Sequence, residues 1–220
     1  DGRDRAGAVV LQEQQIFASR DVQKADARPG GYVATGGHGG LLGAVRHGME
    51  PILTYLPGAK HTYLSDVNRT RLPDSVTGYT LTGNVMTPVE VPIKDANGAL
   101  METAIPTVAI LKEGNYTPES PDSGPEREVD IIARTDDNLR NAPLAGYVVE
   151  GQSPYGSMTN AVRNALMLKA AYCGMPVARV GRGNAEGFAA PAGVFIGGGN
   201  LTSTKARLVL LACLMKFGAL

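Results

Sequence analysis

The stretch Phe195 to Phe217, FIGGGNLTSTKARLVLLACLMKF, decides the fold. A short apolar run enters Gly197-Gly198-Gly199, passes through a polar turn, and continues with apolar residues at Ala206, Val209, Leu210, Cys213, Leu214 and Phe217. Steps of three and four match the turn of an α-helix, so one side of that helix must be buried. Thr202 or Ser203 can cap it by accepting from its first free N–H groups, and Lys205 and Arg207 follow in the first turn, where an anion could be held. The segment is a strand, a glycine turn and a helix packed back on a sheet.

Working backward, the same unit recurs. Thr107 to Lys112 (TVAILK), Gly146 to Gly151 (GYVVEG) and Met175 to Val180 (MPVARV) are continuous apolar runs of strand length. Helix signals fill Glu128 to Arg140. A second helix shows Val162, Ala165, Leu166, Ala170 and Cys173 on one face, with Thr159 as its cap and Gly174 and Pro176 as its stop. Gly114 to Glu128, rich in Pro, Ser, Gly and acidic residues, reads as an exposed loop. Strands alternating with helices predict a small parallel α/β domain with right-handed crossovers over 107–220. Ligands of such sheets bind at the carboxyl ends of the strands, which directs attention to Glu150–Asn160, Gly181–Gly193 and Gly197–Ser203.

The first half of the chain has a different pattern. Ala6 to Gln12 (AGAVVLQ) reads as a buried strand of the parallel kind, after which Gln12 to Gln15 turn the chain and Ile16 to Val22 return as an extended piece. Gly36 to Gly43 is glycine-rich but has neither the lysine of a phosphate loop nor the strand and helix context of a dinucleotide fingerprint. Ala44 to Tyr55 reads as a hairpin turning at His47-Gly48. Between 68 and 106, two β-rich pieces, Val85 to Ile93 and Ala99 to Ile105, flank Asp95-Ala96-Asn97-Gly98, where Asn-Gly is a hairpin signal. That ribbon could cover a site, lie on a partner subunit or decorate a linker; the last is expected, because loops accept insertions at small entropic cost.

Composition excludes several classes. The chain of 220 residues is 43% hydrophobic, enough for a real core in one large domain or two small ones. Lys plus Arg and Asp plus Glu are 21 each, so no net field draws it to nucleic acid or an anionic membrane, and small-molecule or protein partners are favoured. No apolar run has the length to span a bilayer, and DGRDRAG at the start is neither a signal nor a transit peptide. His38, His47 and His61 match no zinc spacing. Cys173 and Cys213 read as two buried free thiols or as one disulfide. Sequons at Asn68, Asn115 and Asn200 point toward secretion, although such tripeptides also arise by chance.

Local motifs carry a family resemblance. Ala18-Ser19-Arg20-Asp21-Val22-Gln23-Lys24 behind the run Val9-Val10-Leu11, Ala59-Lys60-His61-Thr62 before Ser65-Asp66-Val67, and Gly199-x-Leu201-x-x-x-Lys205-Ala206-Arg207 each resemble segments of the bacterial-type L-asparaginases. The resemblance covers the later two-thirds, roughly, of that family's fold. It implies the end of a larger mixed-sheet α/β domain over 1–67, a linker with a β-hairpin insertion over 68–106, and a smaller flavodoxin-like parallel α/β domain over 107–220. Lys24 falls on the family's catalytic lysine, whose neutral amine takes a proton from a hydroxyl nucleophile when the ammonium is desolvated. Glu186 lies near the family spacing for a carboxylate that holds the substrate's amino group.

Departures from the family are equally specific. Its Gly-Asn-Gly-Asn turn is replaced by Gly151-Gln152-Ser153-Pro154-Tyr155-Gly156-Ser157, so the asparagine that helps bind the amino group has no match. Neither Thr-Gly-Gly-Thr-Ile nor Gly-Thr-Asp-Thr occurs; Thr35-Gly36-Gly37-His38 echoes the first at a different place. The resemblance therefore implies hydrolysis of L-asparagine by a threonine on a missing N-terminal segment or separate chain, with Asp1-Gly2 as the remnant of the turn behind it. It also implies a homodimer or homotetramer with shared sites, and no metal or organic cofactor. Two other classes stay open: a non-catalytic binding or structural protein on the same scaffold, and a flavodoxin-like binder holding a phosphate at Gly197 to Asn200.

Overall fold

The computed structural model of the chain describes residues 6–34, 40–60, 62, 64–113, 129–152, 155–182 and 189–219. The chain divides between Asp66 and Val67 into two compact units, the second holding Val67–Gly183 and Gly187–Leu220.

The first unit is built from strands. Strands β1 (Val9–Gln12), β2 (Gln15–Ala18), β5 (Leu41–Ala44) and β6 (Ile52–Leu53) form an antiparallel sheet in the order β1-β2-β5-β6, and β3 (Val22–Lys24) pairs with β4 (Tyr32–Ala34). β1 is thus an antiparallel edge strand, not the buried parallel strand that its apolar run suggests, and Val9 and Leu11 are 43% and 57% exposed. The cause is the two-residue turn after it. Glu13 and Gln14 both take positive φ, 50° and 64°, the geometry that folds a strand straight back on its neighbour.

The second unit is the parallel α/β domain. β9 (Thr107–Lys112), β10 (Ala145–Gly151), β11 (Val177–Gly181) and the short β12 (Ile196–Gly197) lie parallel in the order β12-β11-β10-β9. Helices α1 (Val129–Asn141), α2 (Ala161–Tyr172) and α3 (Ser203–Phe217) connect or follow them. Every residue of β10 is buried. One face of the sheet packs Tyr147, Val149 and Val177 against Leu139 of α1 and Met167 and Ala170 of α2; the other packs Val108, Val148, Ala178 and Val180 against Ala206, Leu210 and Leu214 of α3. Burying each of those leucines is worth about 2 kcal/mol. Thr202 caps α3, whereas Asn160, not Thr159, caps α2 by accepting from the Arg163 N–H at 3.0 Å. Cys173 and Cys213 are free thiols of intermediate burial, and burial pushes the Cys213 thiol up.

The segment 68–106 has more structure than a decorated linker. β7 (Ser75–Thr82) and β8 (Val85–Pro92), eight residues each, make a hairpin that turns at Gly83-Asn84, whereas the Asn97-Gly98 signal closes a small turn under the Lys94–Leu100 bridge. Residues 102–104 form a 3-10 turn where a strand is expected. Leu72, Val91, Ile93, Ala104 and Leu144 bury one another, with Met215 and Ala219 packed alongside. The outer edge of β7 is stitched by Tyr79 N–H to Pro143 O and by Ala219 N–H to Thr77 O. Gly218 allows the second contact: its φ is +82°, and a Cβ would lie 2.4 Å from Thr77 O.

A buried polar pair ties α1 to the sheet. Thr135 Oγ1 and Tyr147 Oη are 2.9 Å apart, both residues essentially inaccessible. Burial pushes the Tyr147 phenol up, against the smaller pull of hydrogen bonds to Thr135 and Asn138. Tyr147→Phe is expected to cost about 1–3 kcal/mol in urea unfolding by stranding the Thr135 hydroxyl, and Thr135→Val in the same chain to recover part of that loss.

Candidate functional site

Lys24 ends β3 and is exposed. Its Nζ donates to Arg28 O at 2.6 Å and to Gly30 O, and lies 5.0 Å from the centre of the Tyr32 ring, its register partner on β4. The loop that wraps it is closed by Ala25 N–H to Gly31 O at 2.8 Å. Within that loop Arg28 forks onto Asp26, with Nε 3.1 Å from Oδ1 and Nη2 2.7 Å from Oδ2. These side-chain bonds, helped by the Arg28 backbone N–H and the nearby Lys24 charge, hold the Asp26 carboxyl below its ordinary value. The structure therefore gives Lys24 a fixed position on a small hairpin, with two carbonyl acceptors and an aromatic face. Glu186 lies outside the described residues.

The second unit has its own polar centre at the carboxyl ends of β9 and β10. Glu113 follows β9 directly and is only 2% exposed. Its backbone N–H donates to Glu150 O, and its carbonyl accepts from Arg182 Nη2 at 2.6 Å. Its Oε1 accepts from the Thr159 N–H, from Thr159 Oγ1 at 3.0 Å and from the Asn160 N–H at 2.7 Å. Glu113 thereby fills the positive end of α2. Its second oxygen, Oε2, is sealed from solvent without a hydrogen-bond partner. Glu150 lies beside the amino end of α3, where it accepts from Ser203 Oγ at 2.6 Å while Thr202 caps the helix.

The loop between β10 and α2 is anchored to this centre. Gln152 N–H donates to Ser157 O, Gly156 N–H returns to Gln152 O, and Gly151 lies so close to Gly156 that a Cβ would meet its carbonyl oxygen at 2.4 Å. Chemically, these helix ends are occupied by carboxylates of the chain itself, which opposes a phosphate there. The reading by strand ends points to the loops after β10, β11 and β12. It misses Glu113, which the same rule applied to β9 would have found. Among the described residues, no cluster of three or more His, Cys, Asp or Glu side chains could hold a metal ion, and no helix is long and apolar enough to cross a membrane.

No family model and no curated protein matches the chain. In three dimensions it is similar to the probable cytoplasmic L-asparaginase from Campylobacter jejuni, seen in a crystal structure, with TM-score 0.63 and 17% identity over 97% of this chain. The fold is an asparaginase fold. The likeness covers 52% of the Campylobacter protein, so this chain spans about half its length.

Removing the Glu113 carboxylate in Glu113→Ala should strand two amides at the head of α2, costing about 2–3 kcal/mol in urea unfolding, with faster amide exchange at Thr159 and Asn160. Glu113→Gln keeps an acceptor oxygen and should cost less. The Asp26 shift has a defined sign. A depressed carboxyl contributes above its unfolded value, about 3.9, and that contribution is lost as pH falls through the lower folded value. An NMR titration should place the Asp26 midpoint below 3.9 and show the 25–31 loop loosening only on the acid side; a midpoint at or above the ordinary value would contradict the fork.

Proposed function

We propose that this chain is the later part of an L-asparaginase-like amidohydrolase that converts L-asparagine to L-aspartate and ammonia. The observation that carries the reading is the asparaginase fold extending over 97% of the chain. It is supported by the local motif that ends on Lys24 at a strand terminus.

In this reading the nucleophile is a threonine hydroxyl on a companion N-terminal segment. Lys24 accepts its proton, and the alkoxide oxygen attacks the side-chain amide carbon of asparagine. The tetrahedral oxyanion collapses, expelling ammonia after protonation of the leaving nitrogen and leaving an acyl ester on the threonine. Water then attacks the ester and releases aspartate, restoring the hydroxyl. Glu186 is assigned to the substrate's amino group, where an anionic acceptor complements an ammonium. The active particle is assigned as a homodimer or homotetramer of such assemblies, with sites shared across subunits.

One observation weighs against the phosphate-binding alternative: the Glu150 carboxylate lies beside the amino end of α3, bonded to Ser203 Oγ. The non-catalytic alternative is favoured by the turn Gly151 to Ser157, which offers no asparagine.

The test is ammonia release from L-asparagine by the assembled protein and by its Lys24→Met variant. Loss of the proton acceptor should lower kcat by about 100-fold or more. A variant that keeps the normal rate removes Lys24 from the mechanism, and an assembled protein that releases no ammonia supports the non-catalytic scaffold.

A further inference from the structure

A lysine is a point charge on a flexible stem, and an exposed one ordinarily samples many positions. At Lys24 two backbone carbonyls stop that motion. Nζ donates to Arg28 O at 2.6 Å and to Gly30 O, which commits two of the three ammonium protons. The Tyr32 ring, its centre 5.0 Å away, bounds the same group. When the third proton leaves, the amine keeps both carbonyl bonds and its lone pair takes the vacated corner of the tetrahedron. The two acceptors therefore fix the direction from which a proton can return.

The acceptors themselves are held from within the loop. Arg28 is tied to Asp26 by backbone and side chain alike: its N–H donates to Oδ1 at 2.9 Å, its Nε to Oδ1 at 3.1 Å and its Nη2 to Oδ2 at 2.7 Å. A bidentate fork of this kind fixes orientation as well as distance. Pro29 holds its own φ, and Gly30 and Gly31 turn the chain at φ +75° and +65°. Gly31 O then closes the loop on the Ala25 N–H at 2.8 Å. Gly31 also lies against Asp26, where a Cβ would come 3.0 Å from Oδ1. Asp26 thus meets both ends of the short segment, Arg28 to Gly31, that carries the two acceptors of Lys24.

We infer that Asp26, acting through Arg28 and the carbonyls of Arg28 and Gly30, is the positioning residue that aims the Lys24 amine. This rests on the proposed reaction, in which Lys24 accepts a proton, and adds what sets the direction of that acceptance. Asp26 works through Arg28 and transfers no proton itself. Its carboxylate orders the loop, the loop presents two carbonyls, and the carbonyls leave the amine one open corner.

Carbon-13 relaxation of the lysine Cε groups in the 220-residue chain reads the placement directly. Lys24 should be more ordered than the exposed Lys60, and in Asp26→Ala it should become as mobile as Lys60. In the assembled protein Asp26→Ala should lower kcat on L-asparagine by about 10- to 100-fold and change KM by less than about twofold, the split expected of a misaimed group. In the Lys24→Met background the same substitution should cost nothing further, because nothing remains to aim. Arg28→Ala should repeat the pattern, and Asp26→Asn, which keeps an acceptor oxygen, should give a smaller fall. Circular dichroism shows that each variant is folded. Unchanged Lys24 order in folded Asp26→Ala, an unchanged kcat, or an equal further loss in the Lys24→Met background overturns the inference. A Lys24→Met variant at the normal rate overturns the proposed reaction and this role with it. A dead Lys24→Met beside Asp26→Ala at full rate overturns the positioning role alone.

Discussion

Strand β10 is buried along its whole length, and the second unit is arranged to make that possible. A strand with no exposed residue needs apolar layers on both sides and paired neighbours on both edges. α1 and α2 supply one layer, α3 the other, and β9 and β11 supply the edges. The polar atoms that cannot avoid this core gather at its carboxyl end, where Glu113 and Glu150 meet the amino ends of α2 and α3. Each carboxylate removes helix-end N–H groups or hydroxyls from the list of groups needing a ligand. The same contacts fill the α2 end with a carboxylate and set a second carboxylate beside the α3 end. The carboxyl end of this sheet is a built structural centre, and chemistry assigned to it has to work around two glutamates already engaged.

The first unit reaches no such closure. Its sheet buries Ile16, Phe17, Ala18 and Leu42, yet Val9 and Leu11 on the edge strand β1 are 43% and 57% exposed. The two units thus show the same constraint met and unmet: an apolar sheet face covered on both sides in one, and left with a hollow in the other.

How legible this was in the sequence depends on where the determining contacts lie along the chain. α3 was readable because its periodicity is local, and the bounds expected from Thr202 to Phe217 are nearly those found. Its buried side is narrower than the apolar stripe. Ala206, Leu210 and Leu214 reach the sheet, while Val209 and Phe217 are 47% and 62% exposed, since spacing alone does not say how wide the contact will be. β1 was misread because a run of Val-Val-Leu has no alternation to betray a half-exposed strand, and its turn, Glu13-Gln14, lacks the Asn-Gly chemistry that announces a tight hairpin. Glu113 lies where the strand-end rule points, at the end of β9, but its burial was not legible. A glutamate after a strand is ordinarily solvated, and this one is buried by partners 46 and 47 positions later.

Lys24 brings these threads together. A lysine that takes a proton from a hydroxyl works in a dry setting, where the charged form loses its advantage. In the described chain Lys24 is exposed, and its ammonium donates to two backbone carbonyls. Its position is set by covalent and hairpin geometry that the chain supplies unaided: the β3–β4 register, the Asp26–Arg28 fork and the Tyr32 ring. These contacts place Lys24 and do not remove it from water.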